Sequence, residues 1–185
     1  QFTLWRYVSK ADEEYICKNV FIGKTDVSGM TKEEAVKAVN NTLGDYRNKQ
    51  LVLKVKDQGA DVSIEEMGAE VENIDKLAEK AVGYGKNGSI WSRYQKIHNL
   101  NKKKYVIDES FKVDEAKLRE LIQERAVPLE QKAVNASASY NGSGFDLTDE
   151  AEGYTVDVDK SVKKIKNFMN KKWNYEDAEV ELKLD

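Results

Sequence analysis

The chain is close to being written twice. Counting 83 residues on from Thr31, which opens one helical pattern, reaches Asp114, which opens another, and Ala35 and Val39 land on Leu118 and Ile122 of DEAKLRELI. The same step carries Gly59 to Gly142 in the turn NGSG, and Val62 and Ile64 to Phe145 and Leu147. One inserted residue later, NIDKLAEKA from Asn73 aligns with DVDKSVKKI from Asp157. Self-similarity at a fixed step is the signature of a duplicated structural unit. A chain of 185 residues has room for two small ones.

Each copy reads as α+β. In DVSGMTKEEAVKAV, Thr31 and Glu34 have the spacing of a capping box, in which each side chain satisfies a backbone N–H left unpaired in the first helical turn. Ala35, Val36, Val39 and Leu43 recur at helical spacing behind it, and Gly44 closes the run. Gly29 supplies a turn before the cap, and Ser28 reads as a residue of that turn because no His accompanies it. Leu51, Leu53 and Val55 alternate as a strand, Asp57-Gln58-Gly59-Ala60 turns it, and Val62 and Ile64 return. A helix from about Asn73 carries Ile74, Leu77, Ala78 and Ala81 on one stripe. Pro128, the only proline, marks the end of the LRELIQERAV helix. At the far end Val180, Leu182 and Leu184 alternate on a terminal strand. The expectation is two tandem repeats, each a small antiparallel sheet packed with helices: a lead-in at 1–19, a first repeat at 20–103 and a second at 104–185.

The copies differ at one place. Near 83–103 the first repeat carries a glycine-rich insertion, GYGKNGSIWSRYQKIHNLNKKK, with a short helix bearing Ile90, Trp91, Tyr94 and Ile97. The second repeat has only MNKKWNYEDA there. Gly83, Gly85 and Gly88 let backbone approach a ligand, and Lys86 and Arg93 would clamp an anion near the helix N-terminus. Asn87 would hydrogen-bond, and Tyr84 or Trp91 would stack on a sugar ring. A plain glycine turn between two helices, with Ile90 and Trp91 in the core, explains the same residues. Trp173 and Tyr175 read as core in the same way.

Composition narrows the function classes. Thirty Lys and Arg against 33 Asp and Glu leave a net charge of -3, without the basic excess a nucleic-acid binder needs. One cysteine, Cys17, and one histidine, His98, make a disulfide framework or a Cys/His metal site improbable, and no cofactor motif is present. Cys17 in YICKNV reads as a small buried hydrophobe and His98 as a solvated side chain. Carboxylates cluster in TKEEA, IEEMG and LTDEAEG, but caps and turns explain them, and nothing in the spacing fixes the two-carboxylate geometry of a glycosidase. No catalytic residues are assigned. With no apolar run of about 20 residues, the chain is expected either to be cytosolic or to be an ectodomain separated from its anchor.

The pieces VFIGKTDVSGMTKEEAVKAV, EEMGAEVENIDKLAEKAVGYGKNGSIWSRY and EGYTVDVDKSVKKI, taken in order, resemble the peptidoglycan-binding domain found, often in tandem, in VanW-like proteins and before the catalytic domain of some L,D-transpeptidases of Gram-positive bacteria. The resemblance runs from about Val20 to the end, and the transpeptidase Ser-x-Gly-Cys motif is absent. It implies a non-catalytic module that binds glycan strand or stem peptide or positions neighbouring domains, extracellular, at the cell envelope, and held by an N-terminal anchor. Set against it are a spacer module without glycan affinity and a carboxylate-dependent wall hydrolase.

Overall fold

The computed structural model describes residues 13–185; the first twelve residues of the expected lead-in lie outside the described residues. In chain order the elements are β1 (Val20–Ile22), β2 (Thr25–Asp26), α1 (Lys32–Asp45), β3 (Gln50–Val55), β4 (Gln58–Ser63), β5 (Glu70–Val71), α2 (Ile74–Gly83), α3 (Ile90–Asn99), β6 (Tyr105–Ile107), β7 (Phe111–Lys112), α4 (Glu115–Leu121), β8 (Ser137–Tyr140), β9 (Phe145–Thr148), α5 (Val158–Lys171) and β10 (Ala178–Glu181). The chain forms two compact units, each discontinuous in sequence. The first takes residues up to Tyr46 together with Glu70–Lys112, and the second takes Arg47–Ala69 with Val113–Asp185.

In the first unit β1 pairs antiparallel with β2 and parallel with β6, Phe21 lying opposite Val106, while β5 and β7 make a separate antiparallel pair. The capping box at the start of α1 is formed: Thr31 Oγ1 accepts from Glu34 N, and Glu34 Oε2 accepts from Thr31 N at 2.9 Å. Gly29 has φ +73, and Ser28 Oγ accepts from Asn19 N and donates to Asp26, so both serve the turn as expected. Ala35, Val39 and Leu43 of α1 are buried with Val20, Ile22, Ala78 and Ala81, and Lys32 of α1 bridges to Glu79 of α2 at 2.7 Å.

In the second unit β3 is the central strand, antiparallel to β4 and parallel to β10, with Leu53 opposite Val180. Leu51, Leu53, Val55, Val62 and Ile64 are buried. The hairpin turns at Lys56, whose φ is +53, one step earlier than the sequence suggested. Gly59 lies inside β4, where a Cβ would meet Val52 Cγ1 at 2.7 Å. The two three-stranded sheets are therefore mixed rather than antiparallel, each taking in a parallel strand after a long crossover, and nothing in that strand's own sequence shows it. Asp114 caps α4, accepting from Ala116 N and Lys117 N. The helical path does not end at Pro128; a π turn at Ile122–Ala126 and a 3-10 turn at Val127–Leu129 continue it, with Val127 still in the α region. Burial of Ile122 and Ala126 overrides the local preference of the residue before proline. The hairpin β8–β9 completes this unit, and Trp173 and Tyr175 are buried as expected.

Candidate functional site

The insertion lies in the first unit. Gly83 ends α2, and Gly85 and Gly88 take φ +78 and +102, values that suit glycine. At Gly85 a Cβ would also stand 3.0 Å from Ile97 Cγ1, so two independent constraints require glycine there. Ser89 caps α3 by accepting from Ser92 N.

The five candidate binding residues go to different places. Lys86 Nζ donates to the carbonyl of Glu13 at 3.1 Å and to that of Tyr15, fastening the loop to the incoming chain. Asn87 donates to Gly83 O at 3.5 Å within the loop itself. Arg93 Nε is buried and has no hydrogen-bond partner among the described residues. Trp91 is 59% exposed and Ile90 47% exposed, which corrects the reading that put both in the core. Positions two apart on a helix differ by about 200°, so Trp91 and Arg93 cannot share a face of α3. The Trp91 ring lies 5.8 Å from that of Tyr94, and Tyr94 lies 5.5 Å from His98, giving a row of near-parallel rings along the helix. Cys17 is half-buried, its thiol donating to Tyr84 O at 3.5 Å. Burial pushes that thiol's pKa up, against a smaller downward pull from Lys86.

Tyr84 turns toward a feature the sequence reading missed. Its ring stacks on Tyr105 at the start of β6, centroids 3.7 Å apart and planes 13° from parallel. The two rings line a cleft of about 500 Å³ together with Asn99, Leu100, Lys103, Lys104 and Val106. Burial raises the Tyr84 phenol pKa, with further contributions from Tyr105 and Cys17. The only trace in the sequence was the lysine run Lys102-Lys103-Lys104 before Tyr105.

Two of the three carboxylate clusters, TKEEA and IEEMG, have a carboxylate with a local partner. Glu34 closes the capping box, and Glu66 accepts from Ser63 N and Oγ and pairs with Arg125, which holds its pKa at about 2. Glu152 lines a second cleft, of about 820 Å³, within the second unit, with Glu130, Gln131, Lys132, Tyr154 and Asp185. There Glu130 accepts from Val156 N at 2.8 Å and Asp185 pairs with Lys160 at 3.3 Å. No group of three or more His, Cys, Asp or Glu able to hold a metal lies among the described residues, and none of the described helices is long and apolar enough to cross a membrane.

Each unit thus carries a cleft edged by lysine and tyrosine side chains, and α3 adds a row of aromatic rings. Residues 60–178, more than half of the chain, match the family described as "Putative peptidoglycan binding domain", and the chain belongs to that family. No curated protein and no solved structure matches the chain.

Proposed function

We propose that the chain is a non-catalytic wall-binding module of a bacterial cell-surface protein, located at the cell envelope and held there by an anchor on the same polypeptide. The observation that carries the reading is the family match across 60–178, a family described by binding and not by a reaction. Its partner is peptidoglycan, through glycan strand or stem peptide, and the VanW-like or L,D-transpeptidase setting would place a neighbouring domain near that partner. Pelleting with purified sacculi tests the reading. The chain should pellet at about 0.15 M salt, where screening acts beyond about 8 Å, and should release no soluble fragments. A chain that stays in the supernatant contradicts wall binding, and turnover of the wall contradicts the non-enzymatic part.

Within that reading the insertion contributes Tyr84 and Trp91 as separate ring surfaces, and Lys86, Asn87 and Arg93 as polar groups on its other faces. Lys86 already serves two carbonyls, so pairing with a ligand would require it to release them. Lys86→Ala with Arg93→Ala should stay folded and lose about 1.4 kcal/mol of sacculus affinity, a tenfold change. Unchanged affinity would remove both residues from the site and leave Lys86 as a loop fastener only. The tandem organisation, 20–103 and 104–185, belongs to the same proposal and is supported by Thr31 and Asp114 each capping a helix. An experimental backbone in which 31–83 fails to superpose on 114–167 would remove it.

A further inference from the structure

We propose that the cleft between Tyr84 and Lys104 in the first unit binds a sugar carrying an anionic group, a carboxylate or a phosphate. The proposal deepens the wall-binding reading and rests on it for the source of the ligand.

The cleft's size falls in the range of about 300–1,000 Å³ usual for small-ligand sites, at about 500 Å³. Its walls are fixed by hydrogen bonds within the chain. Leu100 is buried beneath it, with its carbonyl held by Asn19 Nδ2 at 2.8 Å, and Tyr105 N donates to Asn19 O at 2.9 Å. Asn19 adopts φ +64 to make both bonds. The Tyr84–Tyr105 stack stands on this base.

Charge gives the cleft its sign. Lys103 and Lys104 line it, and Lys96 Nζ lies 6.0 Å from the Tyr84 ring. Lys32, Lys49, Lys112, Lys160 and Lys166 all have carboxylates within 4 Å. None of Lys96, Lys103 and Lys104 does among the described residues. Two cations on the cleft wall, Lys103 and Lys104, the latter with its Nζ 5.0 Å from the Phe21 ring, and a third near Tyr84 raise its potential, and an anion entering relieves their repulsion. The sugar part follows from the other groups: the two phenols make no hydrogen bond to a described residue and can meet hydroxyls, Asn99 adds an amide, and the rings offer apolar surface.

The test titrates the full chain with a disaccharide-tetrapeptide (carboxylate), poly(glycerol phosphate) (phosphate) and uncharged chitotetraose, at about 0.15 M salt. Wild type should bind at least one charged probe in preference to chitotetraose, and which one it binds names the source of the anion. Lys103→Ala with Lys104→Ala should weaken that binding at least about tenfold. Lys163→Ala with Lys164→Ala on α5, which removes the same charge elsewhere, should leave it unchanged. Tyr105→Phe, which keeps the ring and removes the hydroxyl, should weaken it a few-fold and supports the proposal independently if the lysine variant misfolds. Equal loss in both lysine pairs, or no binding of either charged probe by folded wild type, overturns the site. Sacculus pelleting by a chain that ignores the charged probes would sink the cleft and keep wall binding. Probe binding lost in the Lys103/Lys104 variant, without any pelleting, would keep the cleft and sink wall binding.

Discussion

The hairpins β3–β4 and β8–β9 carry the same alternation of apolar residues and have opposite fates. In β3–β4, Val62 and Ile64 are buried, and β10 adds a third strand along β3. In β8–β9, Phe145 and Leu147, which align with those two, are 69% and 77% exposed, and the sheet stops at two strands. Alternation thus specifies a face and says nothing about whether another element arrives to cover it. A two-stranded ribbon without such a partner is marginal by itself. This one is held at its tip by Asn141, which accepts from Ser143 N and Gly144 N, and by the Tyr140–Phe145 ring contact at 5.5 Å.

The largest expected contrast is between buried and exposed leucines. Leu53→Ala in β3 should destabilise the chain by about 2–5 kcal/mol, through lost burial and a cavity. Leu147→Ala in β9 should stay within about 0.5 kcal/mol. Urea unfolding of both variants measures this, and similar costs would mean β9 is covered in solution. A smaller contrast is expected at glycine. Gly59→Ala should cost about 1–3 kcal/mol by overpacking, because the new methyl meets Val52, whereas Gly144 has nothing within 4 Å of a Cβ and its alanine variant should be near neutral in the same assay.

The smallest contrast is electrostatic. Arg125 ties Glu66, just past β4, to the π turn and also donates to Asp61 O of β4 at 2.7 Å; no ion pair ties down β9 among the described residues. The Glu66 carboxyl is held at about 2 instead of 4.5, first by Arg125 and then by the Ser63 N–H and hydroxyl. A depressed folded pKa means the pair stabilises above about pH 4.5, and that contribution fades as pH falls toward about 2. Both partners are partly exposed, so the effect is modest. In thermal melts across that window Glu66→Gln should flatten the acid-side loss of Tm, and an unchanged slope would show that the pair contributes nothing.

What was legible in the sequence was local chemistry. The capping box of Thr31 and Glu34, the Asp114 cap and the Gly29 turn each involve residues within a few positions, so spacing alone defined them. What was not legible depends on distant partners. The parallel pairing of β10 with β3 joins residues more than 120 positions apart, and no local pattern encodes it. The same holds at the candidate site. The sequence around Lys86 suggests an anion clamp and does not reveal that carbonyls at Glu13 and Tyr15 will reach it. The Tyr84–Tyr105 stack likewise exists only once β6 pairs with β1.

The proposed function and the proposed cleft together require that wall fragments bind to the first unit. Amide chemical-shift mapping with a disaccharide-tetrapeptide tests it most directly. Saturable shifts confined to 84–106 and the adjoining Asn19 turn, with the amides of β8–β9 unmoved, are the predicted result. No shift at millimolar probe, or shifts confined to the exposed face of β8–β9, would contradict it.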